Sequence, residues 1–253
     1  MKLVLISNVY SSRGAACLKA LRSVTNCEIL VVLPKIRYGN KSFRETVFAL
    51  LRRYGFCGFV SLCYRVLSVR TMAFVFRFAR GFMKIPEDHF NSVLECLSYQ
   101  SWNYIVPNGV NDEHALAIVK AFAPDVVITA GTNLVLNQRW LELPRMVAIN
   151  IHPSLLPKYR GPDPIYWQLK NKEEIAGVSV HYLTADIDGG DVIAQEQFTL
   201  NPSHKERDII RITDALGAKL LLEVLESIDK GCVNARPQDA SAATYYGYRS
   251  VYA

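Results

Sequence analysis

The sequence predicts an α/β protein: a Rossmann-like, open, mostly parallel sheet flanked by helices, with a basic helical insertion. Three observations predict it. Short apolar runs of β type alternate with longer runs of helical spacing, the order that builds parallel sheets. The first such run, Lys2–Ser7, ends in a polar turn with one glycine (Ser7, Asn8, Ser11, Ser12, Gly14) and leads into a helical pattern. Between Ile36 and Met83 the alternation stops, and an apolar, aromatic stretch carries many arginines.

The elements follow in chain order. Lys2–Ser7 reads as a buried strand, Ala16–Leu21 lies in a helix, and Glu28–Leu33 is a second strand stopped by Pro34. The stretch 36–84 carries Arg37, Lys41, Arg44, Arg52, Arg53, Arg65, Arg70, Arg77 and Arg80 against Glu45. Its uncharged run between Arg53 and Arg65 falls short of the ~20 apolar residues of a spanning helix. Two helices broken near Gly55–Gly58, apolar on one face and basic on the other, fit it better. Glu87–Ser98 is expected to be helical and Asn103–Pro107 extended. Asp112–Phe122 is a helix with Asn111 or Asp112 as N-cap. Strands are expected within Ala123–Ala130, Met146–Ile151, Gly177–Leu183 and Val192–Leu200, and a long amphipathic helix over Glu206–Lys230. Residues 1–230 thus form one domain, and 231–253 a polar tail on its surface.

Half the residues are apolar and 21% are charged, enough for a soluble core without staples. The net charge of +6 favours an anionic partner without naming it. The six cysteines include no C-x-x-C pair, which fits reduced, mostly buried thiols in a cytoplasmic protein. The apolar start is too short for a secretion signal. Contact of the basic stretch with a membrane surface and a homodimer are both compatible with the composition, and no transmembrane segment is expected.

The densest chemistry lies in Asn150-Ile151-His152-Pro153-Ser154-Leu155-Leu156-Pro157-Lys158-Tyr159-Arg160-Gly161. Asn150 ends a strand, and His152 two residues on leaves the same face. Open α/β sheets place ligands at strand carboxyl ends. An amide donor and a titratable imidazole on one rigid support suit oxyanion stabilisation and proton movement. A second segment, His181-Tyr182-Leu183-Thr184-Ala185-Asp186-Ile187-Asp188-Gly189-Gly190-Asp191, runs from a strand into an acidic loop. Its aspartates lack the spacing of a calcium loop, so no metal is expected. One aspartate beside a histidine, fixing its tautomer and favouring its charged form, is the better use.

Together the two segments resemble the formyltransferases that use 10-formyltetrahydrofolate. The shared pattern is Asn-x-His-x-Ser-Leu-Leu-Pro, then Tyr-Arg-Gly, then a strand histidine, then Asp-Gly-Gly. It covers about Ala123–Gln195 strongly, with weaker similarity out to Ala243–Tyr246. The resemblance implies a catalytic trio of Asn150, His152 and Asp188, with His181 in support. It implies that Asn133, Leu134, Val135 and Leu136 hold the pterin of 10-formyltetrahydrofolate, and that Thr184, Ala185, Asp186 and Ile187 close its pocket. Asn150 and a protonated His152 are then expected to donate to the oxyanion, with Asp188 aiding the proton.

The resemblance also frames the acceptor. The purine branch has a Gly-rich phosphate turn where this chain has Ser7–Gly14 with a single glycine, which disfavours glycinamide ribonucleotide. The methionyl-tRNA branch carries a further nucleic-acid-binding domain, so no nucleic acid is expected. The remaining branch formylates nucleotide-linked amino sugars. A small amine, phosphorylated or nucleotide-linked, is therefore expected, with Ser12, Arg13, Tyr159 and Arg160 beside it. A catalytically silent folate- or nucleotide-binding protein is the reading from another class. A dinucleotide-binding redox protein lacks its G-x-G-x-x-G here.

Overall fold

The computed structural model describes residues 1–35, 92–99 and 101–249. The predicted basic insertion 36–84 lies outside the described residues. A seven-stranded sheet runs in the order β3-β2-β1-β4-β5-β6-β7. Its strands are β1 (Lys2–Ser7), β2 (Glu28–Val32), β3 (Asn103–Ile105), β4 (Val126–Ala130), β5 (Val147–His152), β6 (Ile175–Tyr182) and β7 (Val192–Thr199). The pairings from β3 through β5 are parallel, and β6 and β7 join antiparallel. The described helices are α1 (Ser12–Leu21), α2 (Val93–Tyr99), α3 (Glu113–Phe122), α4 (Gln138–Leu141), α5 (Pro164–Lys170) and α6 (Glu206–Asp229).

The predicted elements agree with these to within a few residues; the start of the helix expected over Glu87–Ser98 lies outside the described residues. Local chemistry sets several of the ends. The Ser11 hydroxyl accepts from the Gly14 amide to cap α1, and Asp112 accepts from the amides of His114 and Ala115 to cap α3.

Both faces of the sheet are buried, which explains the continuous apolar strands. Leu3 and Leu5 of β1 face α1 and α6 in one core with Ile128, Ile151, Leu221 and Leu225. Val4 and Ile6 face the other side, with Leu116 and Val119 of α3 and Trp140 of α4.

Gly217 brings α6 close to β5. A Cβ there would stand 2.8 Å from Cγ2 of Ile151, a β-branched side chain with little freedom to move. A helix-interior glycine costs roughly 1 kcal/mol relative to alanine, so its presence reflects the close approach. Gly217→Val is expected to destabilise the fold by about 1–3 kcal/mol in urea denaturation. Because Ile151 lies between Asn150 and His152, the same change is expected to disturb those two side chains.

Candidate functional site

The site forms at the carboxyl ends of β4 and β5, where the sheet turns from parallel to antiparallel. The register aligns three polar residues in one row: Thr129 of β4 opposite Asn150 of β5, and Asn150 opposite His181 of β6. The Thr129 hydroxyl donates to Asn150 Oδ1 at 2.7 Å, which fixes the amide orientation. Asn150 Nδ2 then faces His181 Nε2 at 3.1 Å and donates to Asp188 Oδ1 at 3.2 Å. Since His181 Nδ1 is 2.9 Å from the Tyr182 carbonyl, Nδ1 carries the proton and Nε2 accepts from the amide.

His152 is assigned by the same reasoning. Its Nε2 lies 2.8 Å from the Tyr159 carbonyl, which can only accept, so Nε2 carries a proton. Its Nδ1 faces Asp188 Oδ1 at 3.6 Å. The ring is 5% exposed. Burial pushes its pKa below 6.5, while Asp188 and the Tyr159 carbonyl pull the other way and His181 and Arg13 add to the lowering. The resting imidazole is thus neutral at pH 7, with a free lone pair on Nδ1. Burial thus disfavours the protonated ring that the sequence-based reading expects as a donor. A ring-carbon NMR titration is expected to give a pKa below 6.5 for this histidine.

Asp188 joins the two strands to the loop after Pro157. Its Oδ2 accepts from the Gly161 amide at 2.8 Å, and its Oδ1 also lies 3.6 Å from His181 Nε2. Burial alone would raise its pKa. The two histidines and the Gly161 amide outweigh that, and hold the carboxyl well below the usual carboxylate range. The structure therefore brings Asn150, His152 and Asp188 into one hydrogen-bonded group with His181.

A cavity of about 280 Å³ opens beside this group. Residues 133–136 and 184–187, which the resemblance assigns to a pterin pocket, are among those that line it. Leu141 and Leu183 add apolar wall. Val135 is 66% exposed and Ile187 48%, so apolar surface stays uncovered at this rim.

A neighbouring cavity of about 270 Å³ shares Arg13, Gly131, Asn133, Pro153 and Pro164 with the first. Ser12, Arg13, Tyr166, Asp214 and Arg249 also line it. The Ser12 hydroxyl donates to Asp214 Oδ2 at 2.5 Å. Arg13 Nε stands 3.1 Å from Asp214 Oδ1, yet both atoms lack a hydrogen-bond partner. Burial raises the Asp214 pKa against the pull of Arg13 and Ser12. Arg249 grips Glu206 through two hydrogen bonds of 3.0 and 2.9 Å.

Two of the predicted acceptor contacts are engaged within the protein itself. Tyr159 is buried, and its hydroxyl donates to Glu173 at 2.6 Å while Asn171 donates to it at 3.0 Å. Arg160 donates from Nε and a terminal nitrogen to Gln238 Oε1 at 3.1 and 2.7 Å. Neither lines the two cavities among the described residues. Both are committed to holding their loop, because the tail passes directly over it. Gln238 was not singled out from the sequence, and Thr244 and Tyr246 entered only as part of the weaker resemblance at Ala243–Tyr246, without a role.

A family model described as formyl transferase matches residues 83–225. A methionyl-tRNA formyltransferase of Thermotoga maritima is 36% identical over 142 residues, which is 56% of this chain and 45% of that protein. One from Macrococcus caseolyticus is 36% identical over 139 residues, 55% of this chain and 45% of that protein. The chain thus matches under half the length of these curated relatives. The crystal structure of an N-formyltransferase from Helicobacter canadensis with folinic acid and dTDP-3-aminofucose superposes with a TM-score of 0.61 at 15% identity, over 97% of this chain and 70% of that one. Glycinamide ribonucleotide transformylase 1 from Symbiobacterium toebii gives 0.60 at 16% identity, over 94% of each chain. At these identities the superpositions speak to the fold.

Proposed function

Because the chain belongs to the formyl transferase family, we propose that it moves the formyl group of 10-formyltetrahydrofolate to a primary amine of a small substrate, in the first instance an amino sugar linked to a nucleotide. The observation that carries this reading is the Asn150–His152–Asp188 group, part-buried and lining the first cavity, which shares Arg13, Asn133 and Pro153 with the second. The first cavity suits the donor's flat heterocycle: apolar Leu134, Leu136, Leu141 and Leu183 form its walls, and Val135 and Ile187 leave apolar rim to be covered. When bound there, the donor supplies an activated formyl carbon.

The chain's own residues do the rest. His152 Nδ1, unprotonated at rest, takes the proton from the attacking amine and later returns it to the departing nitrogen. Asp188 stabilises the imidazolium in between. Asn150 offers an amide N–H to the negative charge that develops on the formyl oxygen. At rest both its N–H groups are engaged by Asp188 and His181, so donation needs one of these bonds to be exchanged. The first-cavity walls exclude water, a competing acceptor.

The second cavity is assigned to the acceptor. Ser12, Arg13, Asp214 and Arg249 give it charged and polar groups of both signs, which suit a hydrogen-bonding, polyhydroxylated ligand. A phosphate or nucleotide part is placed outside this cavity. Residues 1–230 are taken as the catalytic domain and 231–253 as a tail bound to it. No described helix is long and apolar enough to cross a membrane, and a cytoplasmic setting is part of the proposal.

The second reading is methionyl-tRNA as acceptor, favoured by the named relatives at 36% identity. The experiment is tetrahydrofolate release from 10-formyltetrahydrofolate, scanned over nucleotide-linked amino sugars, glycinamide ribonucleotide and methionyl-tRNA. Amine-dependent release with an amino sugar supports the first reading. Release with methionyl-tRNA alone replaces it with the second, and absence of release with every amine removes both.

A further inference from the structure

Residues 236–246 form a strap over the two loops that carry the site. Arg236 and Val192 exchange backbone hydrogen bonds of 2.9 Å at one end. At the other, Arg160 donates to the Thr244 carbonyl at 2.9 Å, and Tyr246 donates to the Arg160 carbonyl at 3.0 Å. The Tyr159 amide donates to the Thr244 hydroxyl at 2.8 Å. Tyr246 stacks between Tyr159 and Trp167, with centroids 5.1 and 5.0 Å away.

Gln238 lies between these anchors, half-buried. Its Nε2 donates to the Asp188 carbonyl at 2.8 Å and to the Gly190 carbonyl at 2.6 Å. Its Oε1 accepts both bonds from Arg160. One side-chain amide thus satisfies two carbonyls of the Asp188 loop and the guanidinium of the neighbouring loop. Asp188 has φ +50°, in the left-handed region that aspartate and asparagine adopt more readily than most non-glycine residues. Among the described residues Gln238 grips its carbonyl. The Gly161 amide, next to Arg160, grips its carboxylate.

We propose that Gln238 is a positioning residue that holds the Asp188 carboxylate against His152, so that the strap 236–246 is part of the active site. The proposal rests on the formyl-transfer reading only for its kinetic arm. The geometry works in both directions. Without the amide, the Asp188 loop loses two donors at once, and Arg160 loses the acceptor that ties the two loops together. The aspartate can then relax out of its left-handed conformation, and its carboxylate moves away from the ring.

The described charged and titratable groups facing His152 are Asp188, His181 and Arg13, and of these Asp188 alone favours its protonated form. Moving that carboxylate away therefore shifts the His152 titration to lower pH. Gln238→Met keeps the length of the side chain and removes its hydrogen bonds. In the resting protein, ring-carbon NMR of His152 is expected to show a shift of about half a pH unit or more downward. In turnover, kcat is expected to fall about 10- to 100-fold with the KM for the folate within roughly twofold. Gln238→Glu keeps a partner for Arg160 but loses both donors, and is expected to show the same loss of kcat. A folded Gln238→Met protein with an unmoved His152 titration, or a Gln238→Glu protein with wild-type kcat, overturns the proposal. A shifted titration in a protein that formylates no amine supports the positioning and removes the function proposed above.

Discussion

His152→Ala is expected to lower kcat by about 10³-fold or more, while affinity for 5-formyltetrahydrofolate stays within roughly threefold. General acid–base groups typically contribute about 10²–10⁴ in rate. Here the ring is buried, with Nε2 committed to the Tyr159 carbonyl and Nδ1 left to exchange a proton beside Asp188. Of the other two members of the trio, Asn150 is not titratable, and Asp188 is held well below the usual carboxylate range. In the proposed binding mode the donor's heterocycle lies on residues 133–136 and 184–187, which line the cavity and which the substitution leaves in place. Loss of the ring also strands the Tyr159 carbonyl, at a cost of about 1–3 kcal/mol. Thermal melting of the variant therefore belongs beside its kinetics. Wild-type turnover in the folded variant would remove His152 from the proposed mechanism.

Asp188→Asn is expected to reduce kcat by about 10²- to 10⁴-fold, with the fold intact. The substitution preserves shape, and asparagine tolerates the left-handed conformation seen at φ +50°. What disappears is the negative charge. In the resting protein that charge opposes the lowering of the His152 pKa by burial, so its loss takes the pKa further down. The sign of the pH effect follows. In the proposed mechanism each turnover starts from the neutral imidazole, so the acid limb of kcat/KM is expected to follow this ring and to move to lower pH in Asp188→Asn. At neutral pH the ring then accepts a proton less readily, and kcat falls even though the starting form is fully populated. A pH–rate profile that shifts the other way would show that Asp188 is not the partner of the imidazolium.

These two predictions depend on positions that local sequence exposed unevenly. The strands were visible because a sheet buried on both faces needs runs such as Leu3–Ile6 and Val126–Ala130, which few other structures can use. Asn150 and His152 were visible as a pair because strand periodicity puts i and i+2 on one face. The acidic turn offered Asp186, Asp188 and Asp191, and the family resemblance picked out Asp188 among them. The row Thr129–Asn150–His181 was not derivable in the same way, because it depends on the register between three strands separated by long connections.

The protonation state of His152 was missed for a different reason. Its ring nitrogens are assigned by a carbonyl seven residues away and by the dryness of the pocket, neither of which is a property of the local sequence. Tyr159 and Arg160 showed the opposite failure. Their neighbourhood to the histidine suggested contact with a substrate, whereas the strap holds both, through Thr244 and Gln238. Polar tails such as 231–253 carry no periodic signal, so the closing of this one over the loops at 157–161 and 188–190 could be seen only in three dimensions.

The central claim is that this hydrogen-bonded group carries a formyl group from folate to an amine. Its most direct test is a single-turnover reaction of the protein with 10-[¹³C-formyl]tetrahydrofolate and a nucleotide-linked amino sugar, followed by NMR. The account predicts that the label appears as a ¹³C-formamide on the sugar nitrogen with wild type, and stays on the folate with Asp188→Asn. Label released as free formate, or formamide formed equally well by the variant, would contradict it.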